Sequence, residues 1–132
     1  SDVDLRALLA QHEASGKLVT LTGVQPGGRF GVLELDEAGR TVTGFREKAK
    51  EDGGWINGGF MVIEPAVFNY LSTDEDCILE RTPLEVLARD GKLGIFKHSG
   101  FWQCMDTQRD RGRLEYLWTD EKAPWKIWGD TP

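Results

Sequence analysis

The sequence predicts an α/β or α+β fold built on a mixed sheet, and three observations point to this class. Short β-branched segments alternate with segments of helical periodicity, and one pair of strands is joined by a tight turn. The 132 residues are enough for a single domain with a core of its own. A hairpin requires an antiparallel pair, whereas strands separated by helices can run parallel, so we expect both kinds of pairing.

A helix and a strand are expected at the start of the chain. Apolar residues recur at helical spacing after a capping aspartate, so we expect a helix that packs through one stripe and ends at Gly16. Residues 18–24 are β-branched and alternate, which predicts a strand. The stripe consists of Leu5, Leu8, Leu9 and His12.

A β-hairpin is predicted next. The segments 30–36 and 41–45 alternate apolar with polar residues, and a short turn, 37–40, separates them. These two strands are therefore expected to be antiparallel neighbours. A loop rich in charge and glycine, 46–54, then precedes an apolar run, 55–63, that we interpret as a buried strand.

Two helices are predicted in the middle of the chain. Pro65 can begin a short helix that runs to Leu71. Thr82 is followed by a proline and, three residues on, by Glu85, which is the pattern of a capping box. The helix that this box opens is expected to end at Asp90.

The rest of the chain is predicted as a strand, a loop and a helix. Residues 92–97 form the short strand and residues 100–106 the loop, and either Asp106 or Thr107 caps the last helix. Two tryptophans lie in the tail, 125–128. Aromatic surface of this size is expected to pack on this chain or on a neighbouring subunit.

Composition and charge exclude several classes of partner. Sixteen Lys and Arg residues against 22 Asp and Glu residues give a net charge of −6, the wrong sign for binding nucleic acid. No apolar run approaches the roughly 20 residues of a membrane span, and no secretory segment opens the chain, so a membrane is not expected either. Cys77 and Cys104 match no zinc spacing, and we interpret them as free thiols of a cytoplasmic protein.

Four clusters contain residue types suited to binding, and the first two lie in loops. The glycine-rich turn 26–31 would let backbone amides approach a ligand, although such turns are more often simple connections. At the end of a predicted strand, Glu47 could accept hydrogen bonds from two sugar hydroxyls and Lys48 could pair with a phosphate. Alternating charge that protects an edge strand would explain the same two residues.

The other two clusters lie in the predicted strand 55–63 and before the last helix. Asn57 is a polar residue in an apolar run and would cost about 1–3 kcal/mol if left unpaired, while Gly58 and Gly59 would let a ligand lie against the backbone. A β-bulge with a structural asparagine, or a hairpin turn, would explain the same residues. Asp106 suits a Mg²⁺ ligand and suits a helix cap equally well. No Ser or Cys has a recognisable nucleophile context, so a hydrolase triad is not expected.

Together these clusters resemble the C-terminal half of the sugar-1-phosphate nucleotidyltransferases. The Gly-Arg-Phe-Gly, Gly-Phe-Trp-Gln and Ala-Pro-Trp-Lys pieces point to the branch that makes CDP-glucose from CTP and glucose 1-phosphate, for deoxysugars of surface polysaccharide such as the O antigen. The resemblance implies an α/β fold, namely the mixed-sheet C-terminal portion of the Rossmann-like nucleotide-diphospho-sugar transferase fold. The matching pieces are Gly-Arg-Phe-Gly (28–31), Phe-Arg-Glu-Lys (45–48), Ile-Asn-Gly-Gly-Phe (56–60), Gly-Phe-Trp-Gln-Cys-Met-Asp-Thr (100–107) and Lys-Ala-Pro-Trp-Lys (122–126).

The resemblance also implies roles for single residues and a missing half. Asp106 would be one of two carboxylates that hold Mg²⁺. The N-terminal half, with its glycine-rich CTP-binding signature, is absent, so residues 1–132 are expected to be the sugar-phosphate half of a homo-oligomeric enzyme and inactive alone. The alternatives are a nucleotidyltransferase that uses dTTP, UTP or ATP, and a non-catalytic domain for sugar-phosphate binding or assembly. The residues implied to bind the sugar phosphate are Gly31, Glu47, Lys48, Asn57 and Gly58.

Overall fold

The computed structural model describes residues 1–25, 32–46 and 54–128. They fall into two compact units, a larger one of Leu5–His98 and a smaller one of Ser1–Asp4 with Ser99–Pro132. No helix in the described part is both long and apolar enough to span a bilayer. The elements are α1 (Leu5–Ser15), β1 (Val19–Val24), β2 (Val32–Leu35), β3 (Val42–Arg46), β4 (Ile56–Ile63), a 3₁₀ helix (Pro65–Tyr70), α2 (Thr82–Arg89), β5 (Leu93–Lys97) and α3 (Gln108–Thr119).

A three-stranded mixed sheet organises the larger unit. Its order is β4-β1-β5, with β1 antiparallel to β4 and parallel to β5. The central strand β1 is buried along its whole length because it has a neighbour on each side. The predicted mixed sheet is therefore confirmed. The prediction that 55–63 is a buried strand is only partly right, since β4 lies at an edge of this sheet and Phe60 and Ile63 are 40% and 45% exposed.

The predicted hairpin is confirmed as the antiparallel pair β2–β3. Its turn is closed by Asp36, whose Oδ1 accepts hydrogen bonds from the backbone N–H of Arg40 (2.9 Å) and of Thr41 (3.2 Å). These bonds favour the charged carboxylate and lower the pKa of Asp36. Gly39 in the turn has φ +65°, which glycine adopts without strain. Thr41 also forms a β-bridge with Gly94, so the hairpin joins the edge of β5.

Helix α1 packs on the sheet through a narrower face than the sequence predicts. It ends as expected before Gly16, which has φ +64° and so turns the chain out of the helix. Leu8 and His12, one turn apart, are buried. Leu5 and Leu9 are 56% and 46% exposed, so the prediction of one stripe of four buried residues is wrong for these two. Leu5 and Leu9 lie on a neighbouring stripe of the helix surface that stays open to solvent.

Helix α2 begins without the predicted capping box. No side chain caps this end of the helix, and the backbone supplies the acceptors instead. The N–H of Leu84 donates to the carbonyl of Leu79 (3.1 Å), and the N–H of Glu85 donates to the carbonyl of Arg81 (3.0 Å). The preceding turn thus satisfies the donors that Thr82 was expected to satisfy. The C-terminal end agrees with the sequence, since Gly91 follows with φ +67°.

The core of the larger unit lies where α2 meets the sheet and the hairpin. The short helix expected after Pro65 is present as a 3₁₀ helix, and Val67 from it completes this core. Aliphatic side chains at full burial each contribute about 1.5–3 kcal/mol through the hydrophobic effect. The largest of them are Leu21, Leu84, Leu87, Leu93 and Ile95.

The smaller unit is organised around α3 and the aromatic tail. Thr107, one of the two predicted caps, is the N-cap residue and shares a capping box with Asp110. The ring of Trp125 lies 5.4 Å from the ring of Phe101 and 6.4 Å from that of Trp118. Trp125 therefore packs on its own chain, whereas Trp128 is 55% exposed.

Candidate functional site

The structure describes three of the six residues implied by the sequence. Asn57 and Gly58 are neighbours in β4 of the larger unit, and Asp106 lies just before α3 in the smaller unit. The other three predicted site residues, Gly31, Glu47 and Lys48, lie outside the described residues. The geometry of the candidate site is therefore that of the Asn57–Gly59 segment and, separately, that of Asp106.

Strand β4 contains a bulge at the Asn57–Gly59 segment. Leu21 of β1 pairs with Met61, but Gly23, only two residues on, pairs with Asn57. Two steps along β1 thus correspond to four along β4, so β4 bows away from its partner at this point. Bulges of this kind turn backbone groups and side chains out of the regular ladder and are common beside binding sites.

Asn57 has a structural role in this bulge. Its Oδ1 accepts a hydrogen bond from the backbone N–H of Gly59 at 2.9 Å. Of the alternatives that the sequence leaves open, a bulge with a satisfied asparagine is therefore confirmed and a hairpin turn is wrong. The same bond fixes the orientation of the amide, so that its Nδ2 group becomes a positioned donor.

The glycines meet two different demands of the bulge. Gly59 has φ +92°, a conformation that side chains rarely allow, and a Cβ placed there would meet no described atom within 4 Å. Backbone strain, and not lack of space, therefore requires glycine at this position. Gly23 on the facing strand is required by space, because a Cβ there would overlap the side chain of Ile95.

A buried hydroxyl lies opposite the bulge. Thr22 is fully buried at the carboxyl end of β1, and within the described part of the chain its Oγ1 has no hydrogen-bond partner. A buried hydroxyl without a hydrogen-bond partner lowers the stability of the fold by about 1–3 kcal/mol, and a ligand that bonds to it would remove this penalty. The carboxyl ends of parallel strands are also where α/β sheets bind ligands. Sequence reasoning missed this residue because Thr is an ordinary strand residue.

Asp106 is an exposed carboxylate that does not cap α3. The cap is Thr107, whose Oγ1 accepts from the N–H of Asp110 at 3.1 Å, while Asp110 accepts from the N–H of Thr107 at 3.1 Å. The alternative in which Asp106 is the helix cap is therefore wrong. Its carboxylate lies instead beside the thiol of Cys104.

The donor set at Asp106 fits only part of a magnesium site. Within residues 1–25, 32–46 and 54–128, no three His, Cys, Asp or Glu side chains are grouped as around a metal. Mg²⁺ is commonly held by one or two carboxylates together with waters and substrate phosphates. A single exposed aspartate matches one ligand of such a site.

Asp110, which the sequence analysis did not single out, anchors the loop that bears Asp106. It is 5% exposed, and its carboxylate accepts hydrogen bonds from the Gln103 Nε2 (3.2 Å) and from the Thr107 hydroxyl (2.8 Å). Burial, followed by the charges of Asp110 and Asp106, raises the pKa of the Cys104 thiol. The Thr-x-x-Asp spacing of a capping box was the signal that could have identified Asp110.

The comparisons with known proteins define the class. Residues 1–120 match the sequence profile of the family described as nucleotidyl transferase, so this chain belongs to the nucleotidyl transferase family. It is similar in structure to a putative glucose-1-phosphate thymidylyltransferase from Bacillus anthracis, with a TM-score of 0.68 at 21% identity, over 97% of this chain and 52% of that one. The α/β fold implied by the sequence resemblance is thereby confirmed.

Individual relatives carry more specific names. The chain is 48% identical over 128 residues to the glucose-1-phosphate cytidylyltransferase of Salmonella typhi, and 37% identical to a probable glucose-1-phosphate cytidylyltransferase of Bacillus subtilis. It is 30% identical to a probable mannose-1-phosphate guanylyltransferase 2 of Arabidopsis thaliana. The match to each of the first two covers 97% of this chain and 49% of the relative, so the chain spans about half the length of these relatives.

Proposed function

We propose that this chain is the sugar-phosphate half of a glucose-1-phosphate cytidylyltransferase, which transfers CMP from CTP to α-D-glucose 1-phosphate and releases pyrophosphate. The observation that carries the proposal is the 48% identity, across 97% of the chain, to the Salmonella typhi protein of that name. The Asn57 bulge supports it, because it presents a fixed amide and an open stretch of backbone.

The proposed reaction is a displacement at phosphorus. A phosphate oxygen of glucose 1-phosphate forms a bond to the α-phosphorus of CTP, and the bond from that phosphorus to the oxygen bridging the β-phosphate breaks. Pyrophosphate carries away the electron pair. Such a transfer needs little covalent help from the protein and depends on positioning and on cations around the phosphates.

The residues of this chain would hold the sugar phosphate. In the proposal Glu47 accepts hydrogen bonds from glucose hydroxyls, Lys48 pairs with the phosphate, and Gly31 contacts the sugar through its backbone. Asn57 donates from Nδ2 while the N–H of Gly59 holds its Oδ1, and Gly58 is proposed to line the sugar site beside it.

One carboxylate of this chain would serve a metal ion. Asp106 would be a ligand of Mg²⁺, which when bound supplies positive charge that offsets the charge of the phosphates. The structure leaves this carboxylate outside the helix cap, and Asp110 steadies the loop that bears it.

The nucleotide site is proposed to lie in the other half of the parent protein. The isolated chain should therefore form no CDP-glucose. The choice of CTP over dTTP, UTP or ATP is proposed to depend on residues beyond this chain. We further propose that the parent is a cytoplasmic homo-oligomer. The free thiols of Cys77 and Cys104 and the exposed ring of Trp128 support this.

The test compares the chain with its full-length parent. Each is incubated with Mg²⁺, glucose 1-phosphate and one of the four nucleotides, and the products are separated by chromatography. We expect CDP-glucose from the parent with CTP and no product from the chain. Turnover by the chain alone would contradict the division into halves, and a preference for another base would contradict the cytidylyl assignment.

Single substitutions in the parent test the site residues. Asn57→Ala should raise the KM for glucose 1-phosphate, whereas Asn69→Ala, an exposed asparagine in the 3₁₀ helix, should not. Asp106→Asn should lower kcat, whereas Asp76→Asn, also exposed, should leave it unchanged. Loss of a charge-assisted contact to phosphate or metal is worth about 1.5–3 kcal/mol, or about ten- to hundredfold. Equal effects of test and control variants would reject these roles.

A further inference from the structure

A groove of about 600 Å³ lies in the larger unit, between α1, the β2–β3 turn and β5. Three cationic side chains from three different elements line it: Lys17, Arg40 and Lys97. Among the described residues that form its walls, none is acidic and none is aromatic. This local excess of positive charge occurs in a chain whose net charge is −6, so the groove differs in sign from the molecule as a whole.

The cations are divided between two ends of the groove. The Nζ of Lys17 donates to the carbonyl of Gly91 at 2.8 Å, just before β5 begins. Lys97 is the last residue of β5, and the four residue-to-residue steps from Leu93 to Lys97 span about 13 Å. Lys17 and Lys97 therefore line the groove near opposite ends of β5.

Arg40 and Lys97 are at the same end. A Cβ on Gly39, next to Arg40 in the turn, would stand 2.6 Å from the Nζ of Lys97. That ammonium also lies 5.3 Å from the centre of the Trp55 ring, which holds it by a cation–π contact. Asp36 is nearby, but its Oδ1 faces two backbone N–H groups of the turn and closes the hairpin. Arg40 and Lys97 both line the groove, and a guanidinium and an ammonium together can pair with one phosphate group.

Neutral polar groups lie between the two ends. The Nε2 of Gln11 donates to the carbonyl of Ile95 at 2.7 Å, which fixes the amide and leaves its oxygen as an oriented acceptor. Ser15 and Thr41 also line the groove. The Ser15 hydroxyl donates to the carbonyl of His12 at 2.7 Å and the Thr41 hydroxyl is hydrogen-bonded to the Asp36 carboxylate, so both hydroxyls can meet a ligand only as acceptors. Amide and hydroxyl groups of this kind pair with the hydroxyls of a sugar, whereas a nucleotide base would require an aromatic or apolar surface to stack on.

We propose that this groove binds a phosphorylated sugar with two phosphate groups, a hexose bisphosphate. Arg40 and Lys97 hold one phosphate, Lys17 holds the other, and Gln11 contacts the sugar between them. The volume lies within the range of small-molecule sites, about 300–1,000 Å³. Of the residues assigned to the transfer reaction, the described residues Asn57 and Gly58 of β4 do not line the groove. A ligand here would regulate or stabilise the protein without taking part in that reaction.

Calorimetric titration of the chain with glucose 1,6-bisphosphate tests the proposal. We expect saturable binding that Arg40→Gln and Lys97→Gln each weaken by about tenfold or more, as for the loss of one charge-assisted contact. Arg113→Gln, an exposed arginine on α3, is the matched control and should bind as the unaltered chain does. Ala14→Trp keeps every charge but fills the groove, and should also abolish binding.

Several results would overturn the proposal. Absence of saturable binding would do so, as would equal affinity in the Arg40 and Lys97 variants, or an equal loss in the Arg113 control. Inorganic phosphate that binds as tightly as the bisphosphate would show a simple anion site and reject the sugar ligand. Complete loss of binding in Asn57→Ala would place the ligand at the transfer site instead. Circular dichroism of each variant confirms that it is folded.

Discussion

His12 joins α1 to the sheet by a buried hydrogen-bond network, and replacing it should destabilise the larger unit. The imidazole is 2% exposed; its Nδ1 lies 2.8 Å from the Thr20 Oγ1 and its Nε2 lies 3.1 Å from the Glu64 Oε1. Because a carboxylate can only accept, the Nε2 carries the proton that faces Glu64. In the neutral ring the Nδ1 then accepts the hydroxyl proton of Thr20.

The expected cost of His12→Ala is about 3 kcal/mol. The hydrogen bond to Glu64 contributes about 0.5–1.5 kcal/mol, and loss of the His12 partner leaves the fully buried Thr20 hydroxyl unsatisfied at a cost of about 1–3 kcal/mol. Glu64→Gln should cost less than about 1 kcal/mol, because the Glu64 side chain is half exposed and the amide oxygen can still accept.

Urea denaturation of the chain, followed by circular dichroism, measures these effects. Thr20→Val removes the hydroxyl that His12→Ala would leave unpaired, so the double variant should lose about 1 kcal/mol less than the sum of the two single variants. Strict additivity would show that the two side chains do not interact. A loss below about 1 kcal/mol for His12→Ala alone would refute the network as a source of stability.

Three further predictions concern helix ends, glycines and acid stability. Thr107→Ala should lower the free energy of unfolding by about 1 kcal/mol and speed amide hydrogen exchange in α3, because Thr107 caps that helix. Thr82→Ala is the control and should have neither effect in α2, since no side chain caps that helix. Gly112→Ala in α3 should raise the free energy of unfolding by about 0.5–1 kcal/mol, whereas Gly59→Ala should lower it because of its φ of +92°. Folding lowers the pKa of Asp36 below its ordinary value of 3.8, so its contribution to the free energy of unfolding is present above pH 3.8 and is lost as pH falls through the lower folded pKa. Asp36→Ala should flatten this part of an acid titration of stability, and an unchanged profile would contradict the prediction.

Local chemistry explains where sequence reasoning about the fold succeeded. Gly16 and Gly91 end their helices in the left-handed conformation, and the turn 37–40 joins two antiparallel strands. Each of these features depends on a few consecutive residues, whose conformational preferences act whatever packs around them. Thr82 is an exception to this success. Its sequence pattern predicts a side-chain cap, but backbone carbonyls of the preceding turn accept the hydrogen bonds at this helix end instead.

The candidate site was predictable in part. The order of motifs along the chain indicated the nucleotidyl transferase family, and the comparisons confirm it. Asn57 and Gly58 were singled out as an unusual polar and glycine pair, and the structure shows the bulge that they form. The functional roles of all six implied residues, and the Mg²⁺ and substrates assigned to them, stay predictions.

The sequence alone determined the family, the mixed α/β class and most element boundaries, because periodicity, turn residues and motif order are properties of neighbouring residues. Only the tertiary structure decided that His12 is a buried hydrogen-bonding residue, that Leu5 and Leu9 remain exposed, and that Lys17, Arg40 and Lys97 line one groove. These outcomes depend on contacts between residues that are far apart in the sequence. The free energy gained by burying a side chain comes from such contacts, so it cannot be read from one segment alone.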